Sequence, residues 1–164
     1  MACGTPVAGQ PRAGTTKPPE PTLTTSKPPN YSLARLCELI SAEEAQALGG
    51  SAEGEEGNSV ADGHDICSWA DETSLVLGFQ EGVTTAQVDT GPHITNTPIT
   101  VNGLPAVQSL STDSIVTCEI LVDLPSGRLF ASSVAVLSRG EGKYDPCDVA
   151  TSLANLVVPR VADQ

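Results

Sequence analysis

The chain has 164 residues and a net charge of −12, with one Trp, two Tyr and two Phe. That length accommodates one compact domain plus a tail. The charge excludes nucleic-acid binding through phosphate neutralisation, and the scarcity of aromatics requires a thin core of Val, Leu, Ile and Ala that gains from covalent support.

Residues 1–30 hold seven of the 13 prolines and six threonines, with almost no large apolar side chains. Such a segment cannot bury enough surface to fold, so 1–30 reads as a disordered Pro/Thr-rich tether and 31–164 as a single domain. Prolines at 18, 19, 21, 28 and 29 bias it to polyproline II, in which residues 4–30 would reach ~80 Å. Ala2-Cys3 has the form of a lipoprotein signal's end, a small residue before the cysteine that becomes acylated. The basic and apolar parts of that signal are expected upstream, and Cys3 is the candidate lipidation site. No apolar run approaches the ~20 residues that span a bilayer. Arg12, Lys17 and Lys27 against Glu20 give the tail +2, so the remaining residues carry −14.

Leu33, Leu36, Cys37 and Ile40 share one face of a helix, which turns Cys37 toward the core. Ser41-Ala42-Glu43-Glu44 is a capping box announcing a further turn or bend, ended by Gly49-Gly50. Residues 50–63 read as a loop. Strands are expected over 66–70 and 74–79, a hairpin about Asp71-Glu72-Thr73. Residues 81–97 resist assignment, with Gly91-Pro92 arguing against regular structure. Asn102-Gly103 between 99–101 and 104–110 predicts a type I′ hairpin. Val116, Cys118, Ile120, Val122 and Leu124 alternate with polar residues, a strand with one buried face that includes Cys118. Pro125-Ser126-Gly127 turns the chain into a strand over 129–137. Asp145-Pro146 is an N-cap with proline at the first helical position, Val149, Leu153, Leu156 and Val157 form the apolar stripe, and Pro159 is expected to stop the helix. The expected fold class is α+β: a mostly antiparallel sheet of about six strands, with N-terminal and C-terminal helices packed on one face and two disulfides.

Cys37, Cys67, Cys118 and Cys147 are too widely spaced for a zinc ribbon, which favours disulfides in an exported chain. If 125–127 is a hairpin turn, Cys118 lies opposite Val134 on the core face, near where the last helix starts. Cys118 with Cys147, and Cys37 with Cys67, are therefore the preferred pairs; Cys37 with Cys147 and Cys67 with Cys118 is the alternative. Each preferred loop would contribute roughly 3–4 kcal/mol by chain entropy.

Taken together, Ala2-Cys3, the Thr/Pro tether, Cys37-Glu38-Leu39-Ile40, Cys67-Ser68-Trp69, Cys118-Glu119-Ile120 and Asp145-Pro146-Cys147-Asp148 resemble the small actinobacterial cell-envelope lipoproteins grouped as a domain of unknown function. The resemblance covers roughly residues 31–158. It implies export, a lipid anchor and location on the extracytoplasmic face of the cell membrane, and it carries no catalytic residues.

Catalytic motifs are not evident: no G-x-S-x-G, H-E-x-x-H or G-x-x-x-x-G-K-[ST] occurs, and the segment Gly140-Glu141-Gly142-Lys143 reads as a turn. His64 and His93 read as surface loop histidines, with a hydrolase site the rival reading. Glu43, Glu44, Glu53, Glu55, Glu56, Asp62, Asp65, Asp71 and Glu72 read as a solvated acidic face, or a docking surface for a basic partner, without calcium-loop spacing. Trp69 shares a strand side with Cys67 and reads as packing on a disulfide, with a ligand-stacking platform as the other option. Asn30-Tyr31-Ser32 matches a glycosylation acceptor, incidental in a bacterial chain. No metal or cofactor is expected. The expected function is a non-catalytic binding or scaffold module, ligand unknown, partnered with the membrane through Cys3 and with a basic or envelope protein. The alternatives are a carrier of an apolar envelope molecule and a small extracellular hydrolase. Oligomeric state is left open.

Overall fold

The structure, a computed structural model, describes residues 35–59 and 63–163. The tether over 1–30, Cys3, Leu33, Asn30-Tyr31-Ser32 and Asp62 lie outside the described residues.

Among the described residues, seven antiparallel strands form one sheet: β1 (Glu55–Asn58), β2 (Asp65–Ala70), β3 (Thr73–Glu81), β4 (Ile94–Val101), β5 (Leu104–Ser111), β6 (Thr117–Asp123) and β7 (Arg128–Val136). Their order across the sheet is β1-β2-β3-β7-β6-β5-β4. The Asn102-Gly103 turn has positive φ at both residues, 49° and 80°, as a type I′ hairpin demands. Cys118 pairs with Val134 across β6 and β7.

Among the described residues, two helices accompany the sheet. α1 (Ala42–Ala47) starts at the Ser41 capping box, and α2 (Pro146–Val161) starts at Asp145, whose carboxylate accepts from the backbone N–H of Cys147 and Asp148. α2 lies over β6 and β7 and reaches β4, while a 3-10 turn at Leu36–Glu38 lies over β1 and β2. All bury against one sheet face. Trp69, Leu75, Leu77, Ile120, Val122, Phe130 and Val134 meet Leu36, Leu39, Ile40, Val149, Leu153, Val157 and Val161 in a single core. Buried Ser132, small enough to admit α2 closely, donates to Ala150 O at 3.2 Å.

Cys37 is bonded to Cys67 and Cys118 to Cys147, with Cα separations of 5.3 and 5.0 Å. One disulfide staples the N-terminal turn to β2, and the other staples the start of α2 to β6. These are the preferred pairs.

The structure corrects the sequence reading in four places. There are seven strands rather than about six, because β1 forms within the expected loop 50–63; its Glu-Glu-Gly-Asn is exposed throughout and pairs with the outer edge of β2 without apolar alternation. The expected N-terminal helix is only the 3-10 turn followed by the six-residue α1. Ser41, at φ −79° and ψ 164°, takes the extended conformation of an N-cap and so ends any helix upstream, while one turn already buries Leu36, Leu39 and Ile40. β4 begins at Ile94, inside the unassigned stretch, and tolerates Pro98 because it is an edge strand. Pro159 does not stop α2, which runs to Val161. Proline cannot donate to the carbonyl four residues back, Asn155 O, and the Asn102 side-chain amide donates there instead at 3.2 Å.

Candidate functional site

The face of the sheet opposite α2 carries the other half of each strand's alternation. Its rows follow from the register. Val76, Ser133, Glu119, Ser109 and Asn96 stand side by side across β3, β7, β6, β5 and β4, and Gly78, Ala131, Leu121, Val107 and Pro98 form the next row.

The connection from β3 to β4 crosses this face. It leaves beside Arg128 at one end of the sheet and enters β4 beside Ser111 at the other. Midway, Val83 and Val88 pack on Leu121, Leu129 and Ala131. A 3-10 turn at Thr85–Gln87, closed by a Thr84/Gln87 capping box, is pinned to the sheet by Asp123: Thr85 N–H donates to Oδ1 at 2.9 Å and Thr85 Oγ1 to Oδ2 at 2.6 Å. Asn96 Nδ2 donates to Asp89 O at 2.9 Å, while Asn96 Oδ1 is buried with no partner among the described residues.

Between this strap and the start of β2 lies a trough of about 560 Å³. Its floor is Ser109, Ser111, Thr117, Glu119, Leu121, Ala131 and Ser133; Thr84, Gln87, Val88 and Asp89 wall it on the strap side and Ser59, His64 and Ile66 on the other. Gly78 makes room for the His64 ring, since a Cβ there would come within 2.7 Å of His64 Nε2. A second hollow, of about 550 Å³, lies by the exposed Ile115 and Val116 with Leu137, Tyr144 and Pro146.

The residues singled out in the sequence do not converge. His64 lines the trough, whereas His93 is exposed before β4, its carbonyl accepting from Thr112 N–H. Trp69 is 1% exposed on the helix-covered face against Cys67, with Gly54 packed over its indole, so it is a core residue rather than a stacking platform. The acidic residues disperse into separate ion pairs, Glu44 with Arg160, Asp71 with Arg139 and Glu72 with Lys143. The Arg160 guanidinium, hydrogen-bonded to Glu44, holds that carboxyl below its usual value. Lys143, then Tyr144, do the same to Glu72, and Glu72 raises the Tyr144 hydroxyl in return. The turn at 140–143 thus delivers Lys143 to Glu72. Among the described residues no group of three or more His, Cys, Asp or Glu is placed to hold a metal, and no helix is long and apolar enough to cross a membrane.

The trough itself escaped the sequence reading, because its floor comes from three strands and its roof from an unassigned stretch. Alternation in β6 marked Glu119 as facing away from the core but not what covers that face.

None of the curated proteins and none of the solved structures compared matches the chain. A family model described as a protein of unknown function, DUF3558, matches residues 1–160, and the chain belongs to that family.

Proposed function

We propose that this chain is the exported, lipid-anchored domain of an actinobacterial cell-envelope protein, and that it works as a non-catalytic binding module whose ligand site is the trough. The observation that carries this is the asymmetry of the sheet. One face is sealed by helices, while the other is left as a hollow of ligand size, roofed among the described residues by a strap. Two disulfides that staple the helical elements to the sheet suit an oxidising extracytoplasmic compartment. Acylation at Cys3 and a Pro/Thr tether would hold the domain off the membrane, which its acidity would otherwise keep from anionic headgroups.

Photo-crosslinking in the native envelope tests this. A crosslinker at Ser109 in the trough captures a ligand or partner, whereas one at Ser152 on the exposed side of α2 does not. In the same host, Cys3→Ala in the full-length precursor moves the protein from the detergent phase to the aqueous phase. Equal capture from both positions removes the trough as the site, and unchanged partitioning removes the anchor.

A further inference from the structure

We infer that the strap over residues 83–90 is a lid, lifted by the alkyl chain of an uncharged amphiphile that takes the place of Val83 and Val88. The inference rests on the trough being the binding site. Leu121 and Leu129 are 5% and 1% exposed although they point away from the helices, and among the described residues Val83 and Val88 pack on them and on Ala131. These three floor residues line the trough, with Val76 diagonal to Ala131 on β3. The strap's valines thus show what this part of the floor binds: aliphatic groups held by burial, the contact that an alkyl chain would make in their stead. The strap is also set apart from the rest of the fold. Gly82, at φ 71° with nothing within 4 Å of a Cβ placed there, precedes it and Gly91 follows it, small residues that can absorb the backbone change of a hinge. Its polar anchors to the sheet are the two Thr85 bonds to Asp123 and the Asn96 amide on Asp89 O, and neither disulfide reaches it.

The remaining lining defines the head group. From Leu121 the residues of β6 on this face run through Glu119 to Thr117, with Ser109 and Ser111 beside the last two on β5. An alkyl chain lying over Leu121 and Ala131 therefore places its head among hydroxyls, which both donate to and accept from hydroxyl and ester oxygens. Neither Lys nor Arg is among the lining residues, and residues 31–164 carry −14, so a carboxylate or phosphate head is repelled. The floor's carboxylate, Glu119, already has a partner within the chain and so does not call for a cationic head. No Phe, Tyr or Trp lines the trough to stack on a quaternary ammonium or a planar ring. The class that fits is a neutral single-chain amphiphile, of which a monoacylglycerol is the simplest.

The test uses the full-length chain and three probes below their micelle-forming concentrations, 1-monodecanoylglycerol, decanoate and glycerol, titrated by amide-resolved NMR. Monodecanoylglycerol is expected to shift amides of β6, β7 and the strap, and at low salt to bind about tenfold tighter than decanoate, with glycerol giving no shifts. Leu121→Ser weakens it about tenfold through lost apolar contact. Asp123→Ala acts in the opposite sense: it frees Thr85, lowers the cost of lifting the strap and tightens binding about fivefold, as expected when the competent state becomes more populated. Each variant is read with native α2 amide shifts, and should Leu121→Ser fail to fold, the sign of the Asp123→Ala effect decides. Unchanged or weaker binding in Asp123→Ala overturns the lid. Decanoate or glycerol binding the trough as tightly as the ester overturns the neutral amphiphile, and in either case shifts at the trough leave it standing as a binding surface. Shifts confined to other surfaces, the hollow by Ile115 and Val116 included, overturn both the inference and the trough. Trough shifts that follow protein concentration rather than probe make a second copy of the chain the occupant and overturn the inference as well.

Discussion

Along β6 the residues alternate between Cys118, Ile120 and Val122, buried under α2, and Thr117, Glu119 and Leu121, which face the trough, with Asp123 holding the strap. The first set consists of apolar side chains and a half-cystine, and it packs into one continuous core with Trp69 and Phe130. The second mixes hydroxyl, carboxylate and aliphatic groups: Leu121 packs against the strap's Val83 and Val88, and Asp123 accepts from Thr85. The difference teaches where stability and recognition reside in this small domain. Apolar area and both disulfides are concentrated on one face, which leaves the other free to carry polar groups whose stability cost is low.

Breaking the covered face should have the largest effect. Trp69→Ala, removing a side chain 1% exposed in contact with the Cys37–Cys67 staple, is expected to cost about 3–5 kcal/mol in urea unfolding. A loss below about 1 kcal/mol would mean that the two faces share stability more evenly than their packing indicates.

On the open face the expected effect is smaller and local. Asp123→Ala removes both acceptors of the Thr85 turn and should cost about 1–2 kcal/mol. Hydrogen exchange should quicken over residues 83–91 and stay unchanged in α2. If α2 amides exchange faster to the same degree, the strap and the helix layer form one cooperative unit and the contrast fails.

A rim contact of the covered face sharpens the comparison through pH. Glu44 has a depressed pKa in the folded chain because Arg160 hydrogen-bonds it, so its contribution is present above its unfolded pKa and is lost as pH falls through the lowered folded value. Both side chains are partly exposed, which limits the contribution to about 1 kcal/mol. Arg160→Met should therefore lower stability at pH 7 by about that amount, and its curve should converge with that of the parent at acid pH. A constant offset across the whole range would assign the effect to packing of the Arg160 stem instead.

Legibility in the sequence followed how local each cause was. Polar turns placed the strands 66–70, 74–79 and 129–137, and period-two alternation placed the one around Cys118, each cause lying within a few residues. The capping residues Ser41 and Asp145 and the Asn102-Gly103 turn announced themselves because their geometry is set within four residues. The same register reasoning put Cys118 opposite Val134 and hence near Cys147.

What the sequence by itself determined, then, is the set of elements that carry their own reasons: strands with one apolar side, capped helix starts, tight turns and half-cystines facing a core. Tertiary structure alone decided β1, an all-polar strand that exists because β2 offers an open edge, and the passage of α2 through Pro159, where Asn102 from 53 residues away satisfies the freed carbonyl. It also decided the trough, whose strap is held by Asp123 at a separation of 38 residues and whose floor sets Ser109, Glu119 and Ser133 side by side from three strands. Those groups meet only once the sheet has paired, so no local pattern in the chain could announce them.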